Sequence, residues 1–122
     1  MSAPARVLIV DDHEAQRKTL SIALRLDGFE VKCAASATDA LALLSSTHCD
    51  IALVDLMMPG INGLELARQL RTLFPNVKVV LTSAYHLNEN QLRRAECGAV
   101  GFVPKPFEMN ELVAFLRAKT SS

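Results

Sequence analysis

An excess of charge of either sign is missing from this sequence: Lys and Arg total 13, Asp and Glu total 13, and the formal net charge is zero. No stretch gathers the positive charge that phosphate contacts require, so direct nucleic-acid binding is not expected. No apolar run approaches the roughly 20 residues of a membrane span. Residues 1–5 do not pair a basic segment with an apolar one, so a signal peptide is not expected either. The three cysteines, Cys33, Cys49 and Cys97, are scattered without metal-ligand spacing and leave an odd number. They are expected to be reduced thiols packed as small hydrophobes in a cytoplasmic protein. Repeats, low-complexity tracts and linkers are absent as well.

What is present is a chain of 122 residues, half of them hydrophobic, which predicts one folded soluble domain over 1–122 with about 6–119 structured. It is organised around residues 51–56 (IALVDL), an apolar run with a single carboxylate, Asp55, near its end. A short apolar run bounded by turn residues reads as a strand buried on both faces of a parallel sheet. A buried carboxylate costs several kcal/mol unless a cation, a metal or hydrogen bonds offset it, so Asp55 requires partners unless it lies in an exposed loop. Met57-Met58-Pro59-Gly60 breaks the strand and leaves Asp55 at its carboxyl end, the edge where open α/β sheets bind ligands.

The run at 6–10 (RVLIV) also ends in carboxylates, Asp11-Asp12. Residues 15–27 carry Leu20, Ala23, Leu24 and Leu26 at helical spacing, and Gly28 is a natural stop. A strand is expected at 29–34, where Val31 and Cys33 alternate with Glu30 and Lys32 as at a sheet edge. Ser36 fits a helix N-cap, with Asp39 at the third helical position and Ala40, Leu41 and Leu44 as the buried stripe. Asn62 and Glu65 form a capping-box-like pair ahead of Leu66, Ala67, Leu70 and Leu73, and Pro75 forbids continuation. A fourth strand at 77–81 (VKVVL) runs into Thr82-Ser83. The short polar helix expected at 89–97 turns only Leu92 and Ala95 clearly inward, which makes it the least firmly held. A fifth strand at 100–103 (VGFV) is halted by Pro104-Lys105-Pro106, and a last helix at 108–119 places Leu112, Phe115 and Leu116 inward.

Five strands alternating with five helices predict an α/β fold, a doubly wound, flavodoxin-like parallel sheet of order 2-1-3-4-5 with helices on both faces. That order puts Asp11, Asp12 and Asp55 at the topological switch point, with Ser83, Thr82 and Lys105 on the same edge. Three clustered carboxylates repel one another unless a cation sits among them, and hard oxygen ligands suit Mg²⁺. A carboxylate nucleophile, a divalent metal, a hydroxyl and an ammonium together describe a site for forming and holding an acyl phosphate.

Asp11-Asp12, the run LVDLMMPGINGLEL around Asp55, Ser83-Ala84 and Lys105-Pro106-Phe107 stand in the order and spacing of one family. Over about 6–119 the chain resembles the receiver domain of two-component response regulators (CheY-like). The resemblance implies that Asp55 accepts a phosphoryl group from a histidine kinase, a phosphotransfer protein or a small phosphodonor. It implies Mg²⁺, with Mn²⁺ as a substitute, held by Asp12 directly, by Asp11 mainly through water, by Asp55, and by the backbone carbonyl of Met57. Lys105 would pair with Asp55, across a cis bond to Pro106. Ser83, at the family's interval from Lys105, would be the switch hydroxyl rather than its neighbour Thr82. Phe102 would be the coupled aromatic, lacking a hydroxyl. The surface made by the fourth predicted helix, the fifth strand and the last helix would then switch for a downstream protein or an attached output domain, with a phosphorylation-dependent dimer left open. No turnover enzyme is implied.

Other readings fit less well. An aspartate-nucleophile phosphohydrolase resembles a pattern with a second Asp two residues after the nucleophile, where Met57 stands. A receiver-like interaction module that takes no phosphate would usually have lost an acid or the Lys. A flavin or nucleotide binder would want a glycine- or hydroxyl-rich first loop, where this chain has Asp11-Asp12-His13-Glu14. His13 is expected in a solvent-facing loop rather than as a ligand, and His48 and His86 at the surface. Met57 and Tyr85 flank the site, where they could limit the water that hydrolyses a bound phosphate.

Overall fold

The computed structural model describes residues 4–56, 63–83 and 99–120. Among them the elements run β1 (Arg6–Val10), α1 (Glu14–Leu26), β2 (Glu30–Ala34), α2 (Ala37–Ser46), β3 (Ile51–Asp55), α3 (Gly63–Leu73), β4 (Lys78–Ser83), β5 (Gly101–Pro104) and α4 (Met109–Thr120). The five strands form one sheet in the order β2-β1-β3-β4-β5, and each described pairing is parallel. The predicted fold and strand order are thus those observed. The helix expected at 89–97, the cap Asn62, and Met57, Tyr85, His86 and Cys97 lie outside the described residues.

Side-chain alternation divides the core into two layers. Leu8, Val10, Ala52, Val54, Val79 and Leu81 pack on one face with Ala40, Leu44, Leu66, Ala67 and Leu70 of α2 and α3. Val7, Ile9, Ile51, Leu53, Val80 and Val103 pack on the other with Leu20, Leu24, Leu112 and Leu116 of α1 and α4. Burial of each such Leu, Ile or Val is worth about 1.5–3 kcal/mol. β3 is covered on both faces and buried along its whole length, which is why its sequence is apolar without alternation. Asp50 ties the entry of this strand to β1 by accepting a hydrogen bond from the Arg6 backbone N–H at 2.8 Å.

Local signals mark several boundaries. Ser36 Oγ accepts from the Asp39 N–H at 3.1 Å, the expected N-cap. Gly28 ends α1 with φ +96°, a conformation that disfavours a Cβ. Tertiary context moved others. Thr82 and Ser83 belong to β4, and Pro104 to β5, because the register pairs Asp55 with Thr82 and Ser83 with Pro104.

Five side chains depart from their predicted burial. Leu26 is 85% exposed and Leu73 58%; each lies in the last turn of its helix, beyond the edge of the layer the helix covers. Phe115 and Leu41 are only partly buried. Cys33 is exposed, not packed as a small hydrophobe, because β2 is an edge strand and the central residues Lys32 and Cys33 both lie open there. Cys49 is buried as expected.

Candidate functional site

The carboxyl ends of β1 and β3 meet at the switch point, Lys105 after β5 reaches across to them, and backbone hydrogen bonds past the strand ends hold these exits in place. Asp11 N–H donates to the Ala34 carbonyl at 3.1 Å, Leu56 N–H to the Thr82 carbonyl at 2.8 Å, and Lys105 N–H to the Ser83 carbonyl at 2.8 Å. α3 starts directly beneath Asp55. A Cβ added at Gly63 would stand 2.6 Å from Leu56 Cα and 2.8 Å from the Asp55 carbonyl oxygen. Glycine is therefore what lets this helix end reach the strand. The peptide bond between Lys105 and Pro106 is cis.

Asp11 and Asp55 are 2% and 3% exposed, while the Asp12 side chain is 28% exposed. Lys105 Nζ lies 3.5 Å from Asp55 Oδ2 and 3.7 Å from Asp11 Oδ2, so one ammonium serves two buried carboxylates. Pairing of this kind is what permits their burial. The ammonium also donates to Gln16 Oε1 at 3.1 Å. Arg17, one residue further along α1, donates to the Asp11 carbonyl at 2.7 Å.

The other side of the cluster is occupied by His13. Asp11 Oδ1 accepts the His13 backbone N–H at 2.8 Å and stands 3.1 Å from ring Nδ1. The same nitrogen is 3.2 Å from Asp12 Oδ1 and 3.9 Å from Asp55 Oδ2. The expected solvent exposure holds for most of the ring, whose side chain is 64% exposed, but Nδ1 turns toward the acids. His48 is at the surface as expected, 3.0 Å from Asp50.

The residues present fit a small divalent cation. Ligand atoms of Asp11, Asp12, His13 and Asp55 all lie within 4.8 Å of one another. Asp12 Oδ1 is buried and, among the described residues, has no hydrogen-bond partner, with the His13 ring nitrogen 3.2 Å away, an arrangement that a bound cation would relieve. Carboxylate oxygens are hard donors, suited to Mg²⁺ or Mn²⁺.

The hydroxyls divide between the faces. By strand alternation Thr82 shares the face of Val80 and Asp55, whereas Ser83 shares that of Leu81 and Phe102. Both hydroxyl residues are buried, and Thr82 Oγ1 has no hydrogen-bond partner among the described residues. Phe102 is partly buried against the α2 and α3 layer. The structure thus brings Asp11, Asp12, Asp55 and Lys105 together and leaves Ser83 and Phe102 on the opposite side of the sheet. Met57 lies outside the described residues. Sequence reasoning missed Gln16 and the inward Nδ1 of His13. Their only trace was position, at the cap and in the first turn of the helix that follows the acid pair.

Comparison with known proteins bears on the same region. Residues 7–117 match the family described as the response regulator receiver domain. The regulatory protein AtoC of Escherichia coli is 38% identical over 112 residues, covering 92% of this chain but 24% of AtoC. Across the curated relatives AtoC and MprA the chain spans between about a quarter and half of their length. A CheY-like response regulator receiver domain protein from Methanospirillum hungatei superposes with a TM-score of 0.89 at 30% identity, covering 97% of this chain and 94% of that one. The response regulator TrrA from Thermotoga maritima, in complex with Mg²⁺-BeF, gives 0.85 at 31% identity, covering 94% and 98%. With fold, strand-end acids and family match in agreement, this chain belongs to the response regulator receiver domain family, the phosphoacceptor module of two-component signalling.

Proposed function

We propose that Asp55 is the phosphoacceptor. The observation that carries this reading is its placement: a carboxylate 3% exposed at the end of a fully buried strand, 3.5 Å from the Lys105 ammonium and within the acid cluster. A carboxylate oxygen of Asp55 attacks the phosphorus of a phosphohistidine. The new O–P bond forms as the P–N bond breaks, and the departing imidazole takes up a proton. Asp12, Asp11, Asp55 and the Met57 carbonyl are the proposed ligands for Mg²⁺, which when bound neutralises charge on the transferring phosphoryl group. The complex of TrrA with Mg²⁺-BeF supports this choice of ion. Lys105 holds the Asp55 carboxylate before transfer and a phosphoryl oxygen after it.

The switch follows from charge and geometry. Phosphorylation adds about 1.5 to 2 negative charges and three acceptor oxygens beside Asp55. Ser83 is the proposed switch hydroxyl, and its place on the Phe102 face supports a resting arrangement from which it must turn to reach the phosphoryl group. Because Ser83 and Phe102 share that face, movement of one repacks the other, and the surface around β5 and α4 changes for a partner. Thr82, already on the Asp55 face, is the second hydroxyl within the same register.

The partners in this reading are a histidine kinase or phosphotransfer protein upstream and a downstream protein or attached output domain. The domain acts as a stoichiometric receiver rather than a turnover enzyme, and a cytoplasmic setting suits its free thiols. Among the described residues no helix is long and apolar enough to cross a membrane. The test is acetyl phosphate with Mg²⁺, read by intact-protein mass. Wild type gains one phosphoryl group and Asp55→Asn gains none; undiminished labelling of the variant refutes the assignment.

A further inference from the structure

We propose that His13 is a nitrogen ligand of this metal centre, and that it makes the centre prefer first-row divalent ions such as Mn²⁺, Co²⁺ and Zn²⁺ over Mg²⁺ beyond what carboxylates alone achieve. The inference rests on the reading of the acid cluster as a cation site, and adds a side chain that the resemblance assigns no part.

Distances support it first. An ion with six ligands at about 2.1 Å has neighbouring ligands about 3.0 Å apart and opposite ones about 4.2 Å apart. His13 Nδ1 stands 3.1 Å from Asp11 Oδ1, 3.2 Å from Asp12 Oδ1 and 3.9 Å from Asp55 Oδ2, within the range spanned by those two spacings. Nδ1 is hydrogen-bonded to Asp11 Oδ1 at 3.1 Å, while Asp12 Oδ1, 3.2 Å from the same nitrogen, has no hydrogen bond among the described residues. A cation held by these oxygens would take the Nδ1 lone pair in place of the contact with Asp11.

The ring is also held for the task. Asp11 Oδ1 accepts the His13 backbone N–H at 2.8 Å, which fixes the cap residue at the start of α1 and brings Nδ1 to the acid side. The extended backbone at His13, φ −86° and ψ 107°, places this residue before the helix proper. With the ring proton on Nε2, Nδ1 offers its lone pair to the ion. Imidazole suits Mn²⁺, Co²⁺ and Zn²⁺ better than Mg²⁺, which prefers oxygen and retains its waters.

The test measures Mg²⁺, Mn²⁺ and Zn²⁺ binding to wild type, His13→Ala and His13→Asn by calorimetry, with ring ¹⁵N shifts of the histidines followed through a Zn²⁺ titration. The expected result is a His13 Nδ1 shift characteristic of coordination, with His48 and His86 as internal references. In both variants the preference for Mn²⁺ and Zn²⁺ over Mg²⁺ should fall by about ten-fold or more, a change of about 1.4 kcal/mol. If all three ions bind wild type and variants with one unchanged ratio, and the His13 ring shift stays that of an uncoordinated imidazole, His13 is no ligand and the magnesium reading stands. If wild type binds none of these ions at the acid cluster, the cation-site reading fails and takes this inference with it.

Discussion

Gln16 Oε1 receives the Lys105 ammonium at 3.1 Å, closer than either Asp55 or Asp11 approaches it. A residue in the first turn of α1 therefore shares the cation that two buried carboxylates depend on, across 89 positions of sequence. In Gln16→Ala the ammonium loses this acceptor and settles more firmly on the carboxylates, where it competes with a metal. The Kd for Mg²⁺ should weaken by about two- to five-fold, since a hydrogen bond to a charged group contributes about 1.5–3 kcal/mol and part of this is regained elsewhere. Calorimetric titration checks it; an unchanged Kd means that the Gln16 contact does not restrain Lys105.

Asp12→Ala should act in opposite directions with and without metal. Removing one of three clustered carboxylates relieves repulsion and deletes a buried oxygen that has no hydrogen-bond partner among the described residues. Without Mg²⁺ the variant should be more stable by about 0.5–1.5 kcal/mol. Adding Mg²⁺ should raise the unfolding midpoint of wild type and leave that of Asp12→Ala unmoved. A midpoint that rises equally in both proteins contradicts the role of Asp12.

Lys105→Ala leaves Asp11 and Asp55 buried without their shared ammonium. The loss should be about 1–3 kcal/mol at neutral pH in denaturant titrations; the value is kept below that of a fully buried pair because the Lys side chain is 18% exposed. Saturating Mg²⁺ should restore much of it. Phosphorylated Lys105→Ala should fail to show the NMR shift changes around Phe102 that phosphorylated wild type shows, and wild-type shifts would contradict the proposed coupling.

Gly63→Ala forces a methyl group against Leu56 Cα and the Asp55 carbonyl oxygen. Both neighbours are backbone and neither can swing aside, so α3 must back away from the strand end. A loss of about 1–3 kcal/mol is expected from the overpacking. Slower acetyl phosphate labelling should accompany it, because the displaced strand end carries the nucleophile. Wild-type stability would mean that α3 yields without cost.

The thiols should separate by reactivity. Burial pushes the Cys49 thiol up from its ordinary range, with the Asp50 carboxylate adding to the effect and Arg6 and Lys32 opposing it, whereas Cys33 is exposed. Thiolate is the reactive form, so at neutral pH Cys33 should alkylate at least about ten times faster than Cys49 in the native protein. Peptide mapping after a timed iodoacetamide pulse resolves the sites; equal rates would place Cys49 in open solvent.

The amino-acid sequence by itself determined the alternation of strands and helices, the sheet order, and the delivery of Asp11, Asp12, Asp55 and Lys105 to one edge. Those features depend on short apolar runs ending in charged residues and on the few topologies open to such a pattern, so they are local or nearly so. What only the tertiary structure decided is which side chains meet within that edge. Gln16 reaches Lys105 because α1 packs on β1 and β2 with its first turns beside the segment after β5, and no spacing in the chain encodes that placement. His13 turns Nδ1 inward because Asp11 captures its backbone, although a loop histidine reads as solvent-facing. The family resemblance singled out Ser83 over Thr82 by its interval from Lys105, but only the register with Asp55 assigned the two to opposite faces. Leu26, Leu73 and Cys33 carried the marks of buried residues, yet the extent of each layer is fixed by where neighbouring elements end. A pattern of apolar residues specifies which face a segment turns to the core, but the partners along that face, and how far they reach, come from the packing of distant segments.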